Sequence, residues 1–373
     1  MWCRRFHAAL TETDPLADAV MAIDGARRQP IERQLAQGLS DGLAAIAAPD
    51  PVVVNLLEAA GTVPAHVDPA LIASGPRAWY DVPFRLHLLS MSAGALVGLY
   101  ASPSIASVLD ATGQLNERTA KRLHDTARWL SSTMLPGSLE PGQAGHTATV
   151  RLRLLHARAR QAARRHGHDE HAHGPAINQV DLVRTWLAFT LSSLRAQDSL
   201  GFAQSAASIA ETYAYWQQVA HLLGISPTLI EGVRSHADAE RLETMVMATS
   251  GPCVAPSQRL TERTLSTVAQ TLDDMAPMPE GASRHLLDTL ARRFHGHDRA
   301  DALGLSRSRC ADTLMEPVIA LARGYRGVRR CRAEAPSAVE AGRYTDALRV
   351  AMAEALEPPR RRSGAQACGA LPA

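Results

Sequence analysis

The stretch Thr149–Arg160, TVRLRLLHARAR, decides how this chain is read. It contains neither Gly nor Pro. On a 3.6-residue wheel Thr149, Arg153, His156 and Arg160 fall on one stripe, at i, i+4, i+7 and i+11. Leu152, Leu155, Ala159 and Ala163 form an apolar sector beside it, and Arg151, Arg158 and Arg165 a second basic stripe on the far side. One imidazole therefore sits at the edge of an apolar face, between two guanidiniums. Like charge disfavours its protonated form and partial burial acts in the same direction, so His156 is expected to be neutral, with a lone pair free. A neutral imidazole ligates metal ions and haem iron, while guanidiniums bind carboxylates through paired hydrogen bonds. Haem carries both an iron and propionates. A solvated amphipathic helix with a structural His is the plainer alternative.

Composition sets the frame around that helix. The 373 residues are rich in Ala, Leu and Arg, all good helix formers, and runs of β-branched residues are nearly absent; an all-α fold follows. A net charge of +2, from 39 basic and 37 acidic residues, gives no bias toward polyanions, and 4 % aromatics are too few for a base-stacking surface. No nucleic-acid partner is expected. The five cysteines are scattered and form no CxxC, which argues against a disulfide framework or zinc knuckle. The start, MWCRRFHAALTETDP, has no apolar stretch of signal-peptide length, and the apolar run Leu86 to Leu99 is broken by His87, Ser90, Ser92 and Gly94. A cytoplasmic protein is the expectation.

Pro, Gly and capping residues divide the chain. Residues 1–75 read as peripheral helices, with Asp14-Pro15 opening a short one and further helices at 31–47, 51–60 and 69–74. Residues 76–250 form the expected core, with helices at 84–100, 103–113, 115–134, 146–165, from Asn178 onward and at 204–223. PGSLEPGQAG (136–145) and HGHDEHAHG (166–174) are loops; the latter offers four histidines to a metal ion and is expected to stay out of the core. Helices at 258–274, 283–294 and 306–323 make a C-terminal segment, 251–356, packed on the core, followed by a disordered tail, 357–373.

Four ordered motifs give the central helix a family resemblance. Arg151–Arg160, R-x-R-L-L-H-A-x-x-R, is preceded by Arg122-Leu-His-Asp-Thr126. It is followed by Gly174-Pro-Ala-Ile-Asn-Gln-Val-Asp-Leu182, then by Tyr213-Ala-Tyr-Trp216 and Leu222-Leu-Gly-Ile225. Together they resemble the MpaB/rubber-oxygenase (latex-clearing protein) catalytic domain family, over about 118–230; the segment after Gly251 shows little likeness. The resemblance implies a globin-like helical core around a haem b pocket. It implies His156 as the proximal iron ligand, Arg153 and Arg160 as cofactor-supporting arginines, and Arg122 and Thr126 over the distal face. It also implies dioxygen and a lipophilic, prenyl-type alkene as reactants, and oxidative C=C cleavage or a related oxygenation. Peripheral membrane association would suit such a substrate. The alternative is a non-catalytic helical protein that binds haem or another small molecule.

Two departures stand out. Rubber-cleaving members carry a Lys immediately before the distal Thr, where this chain has Asp125, taken here as a proton acceptor if burial raises its pKa. They also carry a distal acid, for which Asp110 is the nearest candidate.

Overall fold

The computed structural model describes residues 2–324, apart from 112–118, 276–278, 309–312 and positions 314, 318 and 322. Every regular element among them is a helix, so the all-α expectation holds. Local chemistry explains where many of these helices start. Asp14, Asp50 and Asp68 each precede a proline, and each carboxylate accepts a backbone N–H two or three residues on. They open Pro15–Met21, Pro51–Ala60 and Pro69–Ser74, with Pro at the first helical position, where its missing N–H is no loss. Asn178 accepts from Asp181 N at 3.0 Å to start Gln179–Leu187, and Ser205 accepts from Ser208 N at 3.1 Å to start Ala206–Leu222.

The N-terminal helices, expected to be peripheral, are part of the main core. Phe6, Ala9, Val20, Ile31 and Leu35 are buried in the same cluster as Trp186, Trp216 and Leu260. Trp186 satisfies its indole N–H on the Trp216 carbonyl at 2.8 Å, so its apolar area is buried without an orphaned donor. A second cluster joins Val82, Leu86 and Val97 to Leu265, Leu287 and Leu290 of the helices Ala255–Met275 and Ala282–His295. The tail expected to be disordered lies outside the described residues.

Two long helical runs carry a feature that periodicity does not reveal. Ser90–Leu96 and Ala188–Ser192 are π-helical inserts within otherwise α-helical segments, and they pack against each other. Such inserts rotate the following residues and recur at functional sites. Among the described residues no single helix is long and apolar enough to cross a membrane.

Candidate functional site

Two consecutive helices build the site, Thr119–Thr133 and Ala144–Arg165. The loop between them folds back tightly. Ser138 donates its hydroxyl to the Ser132 carbonyl and accepts the Gly145 N–H at 2.9 Å, and a Cβ at Gly145 would overlap both Ser138 and Ser132. The helices then run antiparallel, and the Trp129 indole N–H donates to Thr149 Oγ1 at 3.0 Å. Seven residues back from Trp129 is Arg122, and seven on from Thr149 is His156. At 1.5 Å per residue each lies about 10.5 Å from that pin, so Arg122 and His156 stand level on neighbouring helices. Thr126 lies one turn from Arg122 on the same side, its hydroxyl donating to the Arg122 carbonyl at 2.8 Å.

His156 is hemmed in by protein yet keeps part of its surface open. Burial, and secondarily the Arg160 charge, push its pKa down to about 4, against a smaller opposing pull from Asp14. It is therefore neutral near pH 7, as its stripe suggested. Its Nδ1 is buried without a partner, and the ring makes no hydrogen bond to any described residue. Of the apolar sector beside it, Leu152 packs against the main core and Ala163 is buried, while Leu155 stays 54 % exposed.

Arg122 has the complementary deficiency. Its Nε and Nη2 are buried and unpartnered, and its guanidinium carbon lies 5.4 Å from the Tyr100 ring centroid. A cation–π contact offsets part of the desolvation, but it does not supply an acceptor. Tyr100 in turn accepts a hydrogen bond from Thr264 at 3.2 Å.

Arg153 and Arg160 are both met by carboxylates at the start of the chain. Arg153, 5 % exposed, holds Asp14 in a two-point contact: Nε to Oδ2 at 2.6 Å and Nη2 to Oδ1 at 2.8 Å. Arg160 Nε donates to Asp18 Oδ1 at 2.8 Å. Both guanidiniums therefore have protein carboxylates, and Arg160 Nη2, 2.7 Å from Asp18 Oδ1, makes no hydrogen bond of its own. They dock the Pro15–Met21 helix onto the back of the histidine helix. The downstream motifs converge there too. Gln179 donates to the carbonyls of Thr13 (3.0 Å) and Gly224 (2.9 Å), and Ser226 N donates to Gln179 Oε1 at 2.9 Å. Gly224 has φ +76°, and a Cβ there would come within 2.5 Å of Asp14 Oδ2 and 2.7 Å of Arg153 Nε. Only glycine fits that cradle.

Asp125 corrects the expectation drawn for it. Its side chain is 52 % exposed and pairs with Lys121 at 2.5 Å, so the desolvation that would make it a proton acceptor is absent. Asp110 pairs with Arg259 at 3.1 Å on the surface. In the His-rich segment Glu170–His173 forms one helical turn, while His168, expected to be solvated, is buried with its Nε2 3.1 Å from the Gly174 carbonyl. Among the described residues no three His, Cys, Asp or Glu side chains are grouped to hold a metal ion. His221 interacts not with its own helix end but with Ala59 O, at 2.8 Å, at the end of Pro51–Ala60.

The residues present fit haem on this geometry. A neutral imidazole without a protein partner, an exposed leucine beside it and a buried guanidinium lacking an acceptor would suit a group that needs one nitrogen ligand and carries carboxylates. Sequence reasoning missed Asp14, Asp18, Gln179 and Tyr100 as the groups that position this arrangement.

Residues 83–330 match the family described as ER-bound oxygenase mpaB/B′/rubber oxygenase, catalytic domain. The match extends well past Gly251, where the motifs had shown little likeness. Latex clearing protein LCP in its closed state is similar in fold, with a TM-score of 0.64 at 19 % identity, covering 91 % of this chain and 88 % of that one. No curated protein matches. With two thirds of its length in that model, the chain belongs to the mpaB/rubber oxygenase catalytic domain family.

Proposed function

We propose that the protein is a haem b-dependent oxygenase acting on a lipophilic, prenyl-type alkene by oxidative C=C cleavage or a related oxygenation. The observation that carries this is the level pair on two antiparallel helices: His156, neutral and unpartnered, and Arg122, charged and unpartnered. Family membership supports the oxygenase class, and the likeness to latex clearing protein supports an isoprenoid substrate.

In this reading bound haem supplies the redox chemistry toward dioxygen that the side chains themselves lack. His156 would hold the iron through Nε2, since its Nδ1 is buried. Arg122 would pair with a carboxylate of the group and so gain the acceptor it lacks. The Thr126 hydroxyl spends its proton on the Arg122 carbonyl, so its oxygen is an acceptor toward the pocket unless the hydroxyl turns. The exposed Leu155 gives the site an apolar edge that favours a lipophilic substrate. Asp125, with Lys121, lies on the exposed side of its helix and takes no part in proton transfer.

The absorption spectrum tests this. The chain purified after expression with ample haem should show a Soret band that His156→Ala abolishes and that Arg122→Gln reduces by weakening retention. A colourless protein would sink the reading. So would a haem-loaded protein that consumes no dioxygen and forms no carbonyl product with polyprenyl substrates.

A further inference from the structure

A second concave site lies apart from His156, Arg122 and Thr126. It is a cavity of about 580 Å³, within the ~300–1,000 Å³ typical of small-molecule pockets, and none of the residues assigned above lines it. Its wall includes Ala188 and Ser192, both in the π-helical insert Ala188–Ser192. Leu99, Leu187, Val246, Met247 and Phe294 give it an apolar side, and charged groups, Glu243 among them, line the other.

Four arginines also line it, and they divide into two classes. Arg195 is held by Glu240 and Glu243, and Arg293 by Glu316, at 2.5–2.8 Å. Arg184 and Arg299 form no ion pair with a described residue. Arg184 is 9 % exposed. Its terminal nitrogens reach only neutral acceptors, Ser250 Oγ at 2.5 Å, Val246 O at 3.2 Å and Thr249 Oγ1 at 3.4 Å, and its Nε is buried without a partner. Asp181, three residues earlier on its helix, accepts a hydrogen bond from Ser104 at 2.6 Å; its charge acts on Arg184 from a distance, without a direct contact. The guanidinium of Arg299 has no oxygen acceptor among the described residues and lies 4.0 Å from the Met247 sulfur. Two guanidiniums near each other in one partly enclosed space repel, and desolvation adds to the cost. A shared anion removes both penalties, and the planar donors of arginine suit a carboxylate or phosphate. An inorganic anion alone would leave the apolar wall and most of the volume unfilled.

We infer that this cavity binds an anionic amphiphile, an aliphatic chain headed by a carboxylate or phosphate, with the head between Arg184 and Arg299 and the chain along Leu187 and Phe294. The site is independent of the haem reading.

Isothermal titration of the full chain tests it with decanoate, decyl phosphate, decanol and inorganic phosphate as probes. One equivalent of decanoate or decyl phosphate should bind, and decanol and inorganic phosphate at least about tenfold more weakly, the loss expected when a charged hydrogen-bonded head or the apolar chain is removed. The tighter of the two anionic probes identifies the head group. Arg299→Gln should weaken the anionic probes by about tenfold and leave decanol unchanged, and Arg184→Gln should do the same. His156→Ala should change neither. Should Arg184→Gln fail to fold, Arg299→Gln decides, because Arg299 has almost no contacts to lose. Equal affinity for decanol and decanoate, or undiminished decanoate binding to Arg299→Gln, would overturn the proposal.

Discussion

The two sides of the histidine helix treat their guanidiniums in opposite ways. On the back, Arg153 and Arg160 meet Asp14 and Asp18, and the contact between Arg153 and Asp14 is sealed from water. On the front, Arg122 of the neighbouring helix is buried at two nitrogens with no acceptor, level with an imidazole that also has no partner. A protein that pairs its buried charges on one face and leaves the other unpaired has assigned the second face to something besides itself. The back holds the helix still, and the front is where the proposed ligand would sit. Changes on the two faces should therefore behave differently.

The sharpest contrast is expected from Asp14→Asn. It leaves Arg153 charged and buried with a neutral partner, and breaking a buried pair from one side costs about 3–5 kcal/mol. Denaturant unfolding should show that loss. A loss under 1 kcal/mol would mean that water reaches Arg153 and that the back face is no different from a surface pair. Asp18→Asn comes next, because Asp18 is one-third exposed in the pair with Arg160. Its effect should fall between the roughly 0–1 kcal/mol of a surface pair and the 3–5 kcal/mol of a sealed one.

Asp14 also shows where sequence reading succeeds and where it stops. Asp14-Pro15 is legible as a helix start because capping is a local matter, settled within a few residues, and the carboxylate does cap, accepting from Ala17 N at 3.3 Å. The same carboxylate binds Arg153 from 139 positions away, and no periodicity reports that. The wheel placed Arg153 and His156 on one stripe correctly, but a stripe some tens of degrees wide can be shared by two neighbours. Arg153 reached Asp14, and His156 beside it reached no partner. The Gly174–Leu182 and Leu222–Ile225 motifs were legible only as resemblance. Their physical role, Gln179 and Gly224 clamping Asp14 onto Arg153, needs the fold. The π-helical inserts were illegible because they add one residue to a turn without changing composition.

A smaller effect should appear in the pH dependence. Burial drives the folded pKa of His156 to about 4, and those of His87 and His295 likewise, below the ordinary value of 6.5. Below pH 6.5 the unfolded chain takes up protons that the folded chain refuses. Stability is thus full above pH 6.5 and falls as pH drops toward 4. Each such histidine contributes a slope of up to about 1.4 kcal/mol per pH unit. His156→Gln should make the decline shallower by about one proton's share. An unchanged slope would show that water reaches His156 as freely as a surface residue.

The smallest effect is the most informative about the front face. Replacing a buried charge that has a partner is destabilising, but replacing one that has none removes a desolvation penalty. Arg122→Met keeps the length of the side chain and its contact with the Tyr100 ring while deleting the unpartnered nitrogens. Unfolding of the ligand-free variant should be unchanged within about 0.5 kcal/mol, or shifted toward greater stability. The haem-loaded protein should lose stability on the same substitution, because there the guanidinium has its carboxylate. A sign that reverses between the free and loaded chains cannot come from packing alone, since Met and Arg fill that space alike in both. If Arg122→Met destabilises the free chain as Asp14→Asn does, Arg122 belongs with the structural arginines of the back face, and the carboxylate-binding role assigned to it is wrong.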